Sequence, residues 1–354
     1  MRKLMSPIVF LVTIFLLCSF SSAIASTEKA KNVSPKEAKS TSLKAHNKHG
    51  AKSAEQVSRP KHEAKEAAKT KAKVHIQSAL KAVKAPEPAS NKGEFQVNTK
   101  ASMLVDMNNG EILYAQDPDT PIPPASLTKI LTLYLLNEYI EEGKLKPDQL
   151  ITVGSDASHA GGSNMHLRSG ETDTLDDIMK GIAVASANDG CVAVADYLGN
   201  GDFAPFVAAM NKKAQELGMS SSHFFNPNGL PAEGQVVTAR DMAILAQAYI
   251  KRFPQALNVH SMTEFTHNNR VRHNSNSLLG RVEGVDGLKT GFVCASGFNI
   301  VATAKRQDTR LLAVVLGARS RGVRERETTK LLEEGFKIVA AENGQNRQVA
   351  MSAR

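Results

Sequence analysis

Residues 124–139 read Pro124-Ala125-Ser126-Leu127-Thr128-Lys129-Ile130-Leu131-Thr132-Leu133-Tyr134-Leu135-Leu136-Asn137-Glu138-Tyr139. Pro123 and Pro124 end an irregular stretch, Ser126 opens a strongly apolar helix, and Gly143 stops it. Upstream, residues 101–106 and 111–114 flank Asn108-Asn109-Gly110, a turn signal between two short strands. Downstream, helices are predicted at 175–185, 191–198, 204–217 and 239–250. Strands follow at 298–304 and 311–317, and a last helix runs from about 324 to 340. Strands on both sides of a helical middle predict an α/β (α+β) fold, one sheet assembled from distant segments and covered by helices.

The chain has 354 residues, enough for one large domain or two modest ones. Its first 25 residues read as a secretory signal: Arg2 and Lys3, an apolar run from Ile8 to Phe20, then Ala23-Ile24-Ala25 as the cleavage site. A retained membrane anchor is the alternative, and Leu17 before Cys18 argues against a lipoprotein. The chain is therefore expected to be exported, periplasmic or extracytoplasmic, and cleaved after Ala25.

The formal net charge of +9 is unevenly spread. The signal holds +2 and residues 26–92 hold +10, which leaves −3 for residues 93–354. The basic character belongs to a Lys/Ala-rich linker (26–94) with too few large apolar side chains to fold, so nucleic-acid binding loses its support. The absence of tryptophan points the same way. The linker reads either as a tether to anionic envelope polymers or as a spacer. After cleavage only Cys191 and Cys294 remain, either bridged or as free thiols.

Three short elements carry chemistry. Ser126 and Lys129 are nearly one helical turn apart and face the same side. A serine hydroxyl needs a base, and a lysine can serve where burial or neighbouring charge lowers its pKa. Ser186-Ala187-Asn188 follows an apolar segment and can relay a proton or bind an amide; taken alone, Asn188 reads as a helix cap. Lys289-Thr290-Gly291 leads toward a strand, where glycine admits a substrate backbone; taken alone, it reads as a plain turn.

Together and in this order, the three form the set found in penicillin-binding proteins and class A β-lactamases. With Asn226-Pro227-Asn228-Gly229-Leu230, Thr238-Ala239-Arg240-Asp241-Met242, Val285-Asp286-Gly287-Leu288 and Gly317-Ala318-Arg319-Ser320, residues 100–339 closely resemble the low-molecular-mass D-alanyl-D-alanine carboxypeptidases. The resemblance implies a serine β-lactamase/DD-peptidase fold, an antiparallel sheet flanked by helices with a helical subdomain, in a catalytic domain at 95–341. It implies removal of the terminal D-alanine from peptidoglycan stem peptides, β-lactams as covalent inhibitors, and no cofactor.

By that resemblance Ser126 is the nucleophile, Lys129 its base, and Ser186 with Lys289 the relay to the departing amine. Asn188 holds substrate backbone, Gly291 lets it approach, and the N–H groups of Ser126 and Phe292 form the oxyanion hole. Thr290 and Arg324 clamp the terminal carboxylate, although Arg324 sits in a run with Arg319, Arg321 and Arg326 that also reads as a solvated face. No metal is implied, since His159, His166, His223, His260, His267 and His273 lack ligand spacing.

Known members often add a β-rich second domain and an amphipathic C-terminal anchor. Here residues 342–354 read as a polar tail with no apolar face for an anchor, and Ser275 stands where some members place an arginine. A D,D-endopeptidase that cuts crosslinks is the nearest alternative. A class A-like β-lactamase needs a glutamate-activated water in a Glu-x-x-x-Asn setting, which Glu216 does not supply, so penicillin release is expected to be slow. A non-catalytic wall-binding protein acting through the linker is the third.

Overall fold

Side chains along a strand point alternately to opposite faces, and this alternation explains the core. The computed structural model describes residues 95–352; the signal and the linker, with their cleavage and tether readings, lie outside the described residues. The expected hairpin is β1 (Ala101–Asp106) paired antiparallel with β2 (Ile112–Gln116). Gly110 takes φ +81°, a left-handed conformation natural to glycine, and its N–H donates to the Asp106 carbonyl at 2.8 Å.

The apolar helix is α1 (Lys129–Glu141), entered through a 3-10 turn at Ala125–Thr128 that carries Ser126. Next come β3 (Leu150–Thr152), α2 (Ser155–Ser158), β4 (Thr172–Thr174), α3 (Leu175–Lys180), α4 (Asn188–Leu198) and α5 (Ala204–Leu217). Helices α6 (Ala239–Arg252) and α7 (Ala256–His260) lead to a hairpin of β5 (Glu264–His267) and β6 (Arg270–His273). The chain continues through β7 (Val285–Val293), β8 (Gly297–Arg306), β9 (Thr309–Ala318) and α8 (Arg321–Ser352).

The central sheet has the order β2-β1-β9-β8-β7 and is antiparallel throughout. In β9, Leu312, Val314 and Leu316 face the helical body with α1 and α6, together with Met103 and Val105 of β1. Leu311, Ala313 and Val315 face the other way and pack with Leu104 against Val323, Leu331 and Leu332 of α8. Both faces are covered, so the strand reads as an unbroken apolar run. Each large apolar side chain buried this way contributes about 1.5–3 kcal/mol.

The predicted sheet from distant segments, covered by helices, is thus present. Three details differ. Lys289-Thr290-Gly291 lies within β7 rather than ahead of it. The last helix does not end near Ala340 but continues to Ser352, so most of the expected tail is helical. The short pairs β3–β4 and β5–β6 were not anticipated, because three or four residues carry too little alternation to stand out. Cys191 is buried, Cys294 is exposed, and the two are not bridged.

Candidate active site

Lys129 begins α1 directly behind the Ser126 turn, and its side chain is fully enclosed. Its Nζ lies 3.0 Å from Ser126 Oγ, 2.6 Å from Asn188 Oδ1 and 2.5 Å from the Asn228 carbonyl. All three ammonium hydrogens are therefore used. Burial lowers its pKa to about 8, with Cys191 and Asp189 opposing that fall. Near neutral pH part of the population is free amine, and the Ser126 hydroxyl can then donate its proton along the same 3.0 Å contact.

The second element depends on an irregular turn. After α3 the backbone widens into a π-helical turn at Gly181–Ala185, ending at Ser186 in the left-handed region with φ +59°. Non-glycine residues held there are strained, and such turns gather at functional sites. Ser186 is 4% exposed, and its hydroxyl makes no hydrogen bond within the described residues. Asn188 does not cap α4: Ala187 holds that position, and the Asn188 amide instead joins Lys129 to the Gly161 carbonyl at 2.6 Å. Asp189 accepts the N–H groups of Met165 at 3.1 Å and Leu167 at 3.0 Å, which fixes the loop beside Asn188.

The third element arrives on β7, an edge strand with β8 on one side and no strand on the other among the described residues. Lys289 is 2% exposed, with Nζ donating to the Thr290 carbonyl at 3.0 Å. Burial holds its pKa well below the ordinary lysine range, and the charges of Lys129 and Arg324 lower it further. The two lysines feel each other, so a proton lost from one eases the charge on the other. A Cβ on Gly291 would stand 3.0 Å from Ser126 N and 3.1 Å from the Pro124 carbonyl, so any larger residue would press β7 and the serine turn apart by a few tenths of an ångström. Thr290 is buried, whereas the Phe292 residue is half exposed, its ring tilted against that of Phe298 with centroids 4.4 Å apart.

Arg324 is set apart from its neighbours. It is buried, whereas Arg321 and Arg326 are exposed and pair with Glu325 and Glu327. Two of its nitrogens, Nε and Nη2, are buried without a hydrogen bond, and Glu325 Oε1 stands 3.5 Å from Nη2. Burial lowers the Arg324 pKa to about 10. A desolvated guanidinium with unused donors suits a planar carboxylate.

Three contributors were given no role in the site from the sequence. The loop 226–230 seals the back of the serine turn: Thr132 Oγ1 donates to the Pro227 carbonyl at 2.6 Å, and Asn228 offers its carbonyl to Lys129. Gly229 has φ +84°, and a Cβ there would lie 1.8 Å from the Ala125 carbonyl. The Asn-Pro-Asn-Gly string was the available signal for this turn. Asp189 is the second. The third is His260, buried under β7, with Nδ1 3.1 Å from the Leu288 carbonyl and Nε2 3.3 Å from the Tyr249 hydroxyl. Burial lowers its pKa to about 4, so the ring is neutral. Since a carbonyl only accepts, Nδ1–H donates to Leu288 and Nε2 accepts from Tyr249.

Among the described residues no group of His, Cys, Asp or Glu could hold a metal ion. His267 instead pairs with Asp173. Among the same residues the bonding partners of Lys129 Nζ include no carboxylate. Asp189, next to Asn188 in the chain, is occupied by the Met165 and Leu167 N–H groups.

Known proteins are similar to this chain in sequence and fold. The profile of the D-alanyl-D-alanine carboxypeptidase family matches residues 82–320. The D-alanyl-D-alanine carboxypeptidase DacC of Escherichia coli K12 is 39% identical over 249 residues, covering 68% of this chain and 62% of that protein. Among solved structures, penicillin-binding protein 5 from Haemophilus influenzae superposes with a TM-score of 0.67 at 35% identity, over 69% of this chain and 72% of that one. Penicillin-binding protein D2 from Listeria monocytogenes, in its ampicillin-bound form, gives 0.64 at 30% identity, over 69% of this chain and 100% of that one. The chain thus spans less than two thirds of the length of DacC. With the profile covering most of the chain and the relative this similar, the chain belongs to the D-alanyl-D-alanine carboxypeptidase family.

Proposed function

We propose that this chain is an exported serine carboxypeptidase that removes the terminal D-alanine from peptidoglycan stem peptides. The observation that carries the reading is the enclosed Lys129 amine, 3.0 Å from Ser126 Oγ with its pKa lowered to about 8. Ser126 Oγ attacks the carbonyl of the penultimate D-alanine while Lys129 Nζ takes its proton. The oxygen that gains charge sits between the N–H groups of Ser126 and Phe292, where removing one donor typically costs about 3 kcal/mol. The closeness of Gly291 to the serine turn supports that site.

Ser186, with its unbonded hydroxyl, and Lys289 pass a proton to the departing amine, and free D-alanine leaves. Asn188 holds substrate backbone, while Thr290 and Arg324 take the terminal carboxylate; the two unbonded Arg324 nitrogens support this. Water then hydrolyses the ester, with Lys129 again as base. Penicillin acylates the same serine. The Asn228 carbonyl, rather than a carboxylate, faces Lys129, which supports a long-lived adduct and argues against a β-lactamase. The ampicillin-bound form of the Listeria relative fits this reading.

Purified muropeptides separate trimming from crosslink cleavage. Release of D-alanine from uncrosslinked pentapeptides with intact dimers supports the carboxypeptidase; cleavage of dimers alone shows an endopeptidase.

A further inference from the structure

A side-chain amide has an accepting end and a donating end, and only the accepting end suits an ammonium. Asn188 turns its Oδ1 toward Lys129 Nζ while its Nδ2 donates to the Gly161 carbonyl at 2.6 Å. The Asn188 backbone N–H donates to the Ser163 carbonyl at 2.7 Å. A Cβ on Gly162 would stand 2.7 Å from Asn188 Nδ2, so segment 161–163 passes Asn188 at backbone contact. The place of that segment decides which end of the amide meets the lysine.

Residues 160–167 belong to no helix or strand, so other contacts must hold them. Met165 is held at both backbone groups: its N–H donates to Asp189 Oδ1 at 3.1 Å, and its carbonyl accepts from Arg272 Nη2 at 3.1 Å. Asp189 follows Asn188 in the chain, so its hold comes from the site itself. Arg272 comes from outside, on β6. Its hairpin is tied down in turn, since the buried His267 of β5 pairs with Asp173 of β4. Phe265, directly across from Arg272 and so on the same face, is also buried. Arg272 Nε is buried without a hydrogen bond. An unmade buried donor is costly, so packing of the hairpin alone does not account for an arginine here.

We propose that Arg272 is a positioning residue for acylation. Its hold on the Met165 carbonyl keeps segment 161–167 against Asn188, and so keeps the Asn188 oxygen on Lys129. This inference rests on the carboxypeptidase reading, with Ser126 as nucleophile and Lys129 as base.

The test follows penicillin acylation of the purified protein against pH in the wild type, Arg272→Met and Arg272→Lys. Without the hold, the Lys129 ammonium loses an acceptor, which disfavours its charged form. The midpoint of the acid limb, about 8 in the wild type, should fall by about one pH unit in Arg272→Met. Its plateau rate should drop by about 10- to 100-fold. Arg272→Lys keeps one donor and should restore most of both. Removing the Arg272 charge alone would raise the midpoint, so the sign separates positioning from a field effect. Asp189, Cys191 and Lys289, the titratable groups that act on Lys129, are the same in all three proteins. In an Asn188→Ala background Arg272→Met should add little, because the two act through one amide. An unmoved or raised midpoint, or full additivity with Asn188→Ala, overturns the positioning role alone. Should Arg272→Met not fold, Arg272→Gln, whose shorter amide cannot span the same distance, takes its place. A wild type that penicillin does not acylate overturns the carboxypeptidase reading and this inference with it.

Discussion

Lys129 Nζ and Ser126 Oγ lie 3.0 Å apart in a pocket where the lysine is wholly enclosed and bonded only to neutral acceptors. Burial, not a cationic neighbour, is the largest cause of its lowered pKa. The base form therefore gains as pH rises through about 8. Acylation by penicillin should accelerate across that range and level off above it. Lys129→Arg keeps a charge at all these pH values and should lose about 10²–10⁴-fold. A flat profile from pH 6 to 9 would count against the lysine as base.

Gly291→Ala places a methyl 3.0 Å from Ser126 N. Overpacking of this kind costs about 1–3 kcal/mol of stability. The displacement of β7 from the serine turn should slow acylation by on the order of 10²-fold. Stopped-flow acylation and thermal unfolding measure the two effects separately. A wild-type acylation rate in a destabilised variant would detach Gly291 from the site.

Arg324→Gln should weaken turnover of peptides with a free terminal carboxylate by about 10- to 100-fold, the worth of a charge-assisted bond. The methyl ester of the same peptide should be much less affected. Equal losses on acid and ester would make Arg324 a structural residue.

His260 gives a stability prediction with a definite sign. An unfolded histidine binds its proton near pH 6.5, whereas His260 in the fold does so only near 4. Between those values the unfolded state holds more protons, so stability falls as pH falls from about 6.5 to about 4. From this group the loss is on the order of 3 kcal/mol over the whole window. His260→Gln retains a donor for the Leu288 carbonyl without titrating, and its urea midpoint should depend less on pH. Identical pH slopes in both proteins would contradict the assignment.

Much of this fold was legible because its signals were long or chemically special. The run 130–136 could only be a buried helix, and Asn108-Asn109-Gly110 marked its hairpin. The site was legible only jointly: Asn188 looked like a cap and 289–291 like a turn until their order was considered with Ser126 and Lys129. What stayed hidden depends on contacts between distant segments. The Asn228 carbonyl is a backbone atom and His260 acts through another residue's carbonyl, so neither leaves a pattern in spacing. The burial that separates Arg324 from Arg321 and Arg326 arises only once α8 packs on the sheet.

The most direct measurement is intact-protein and peptide mass spectrometry after incubation with penicillin. The account predicts one adduct on Ser126, lost in Ser126→Ala and persisting long after free penicillin is removed. An adduct on another residue, none at all, or rapid turnover of the antibiotic would contradict it.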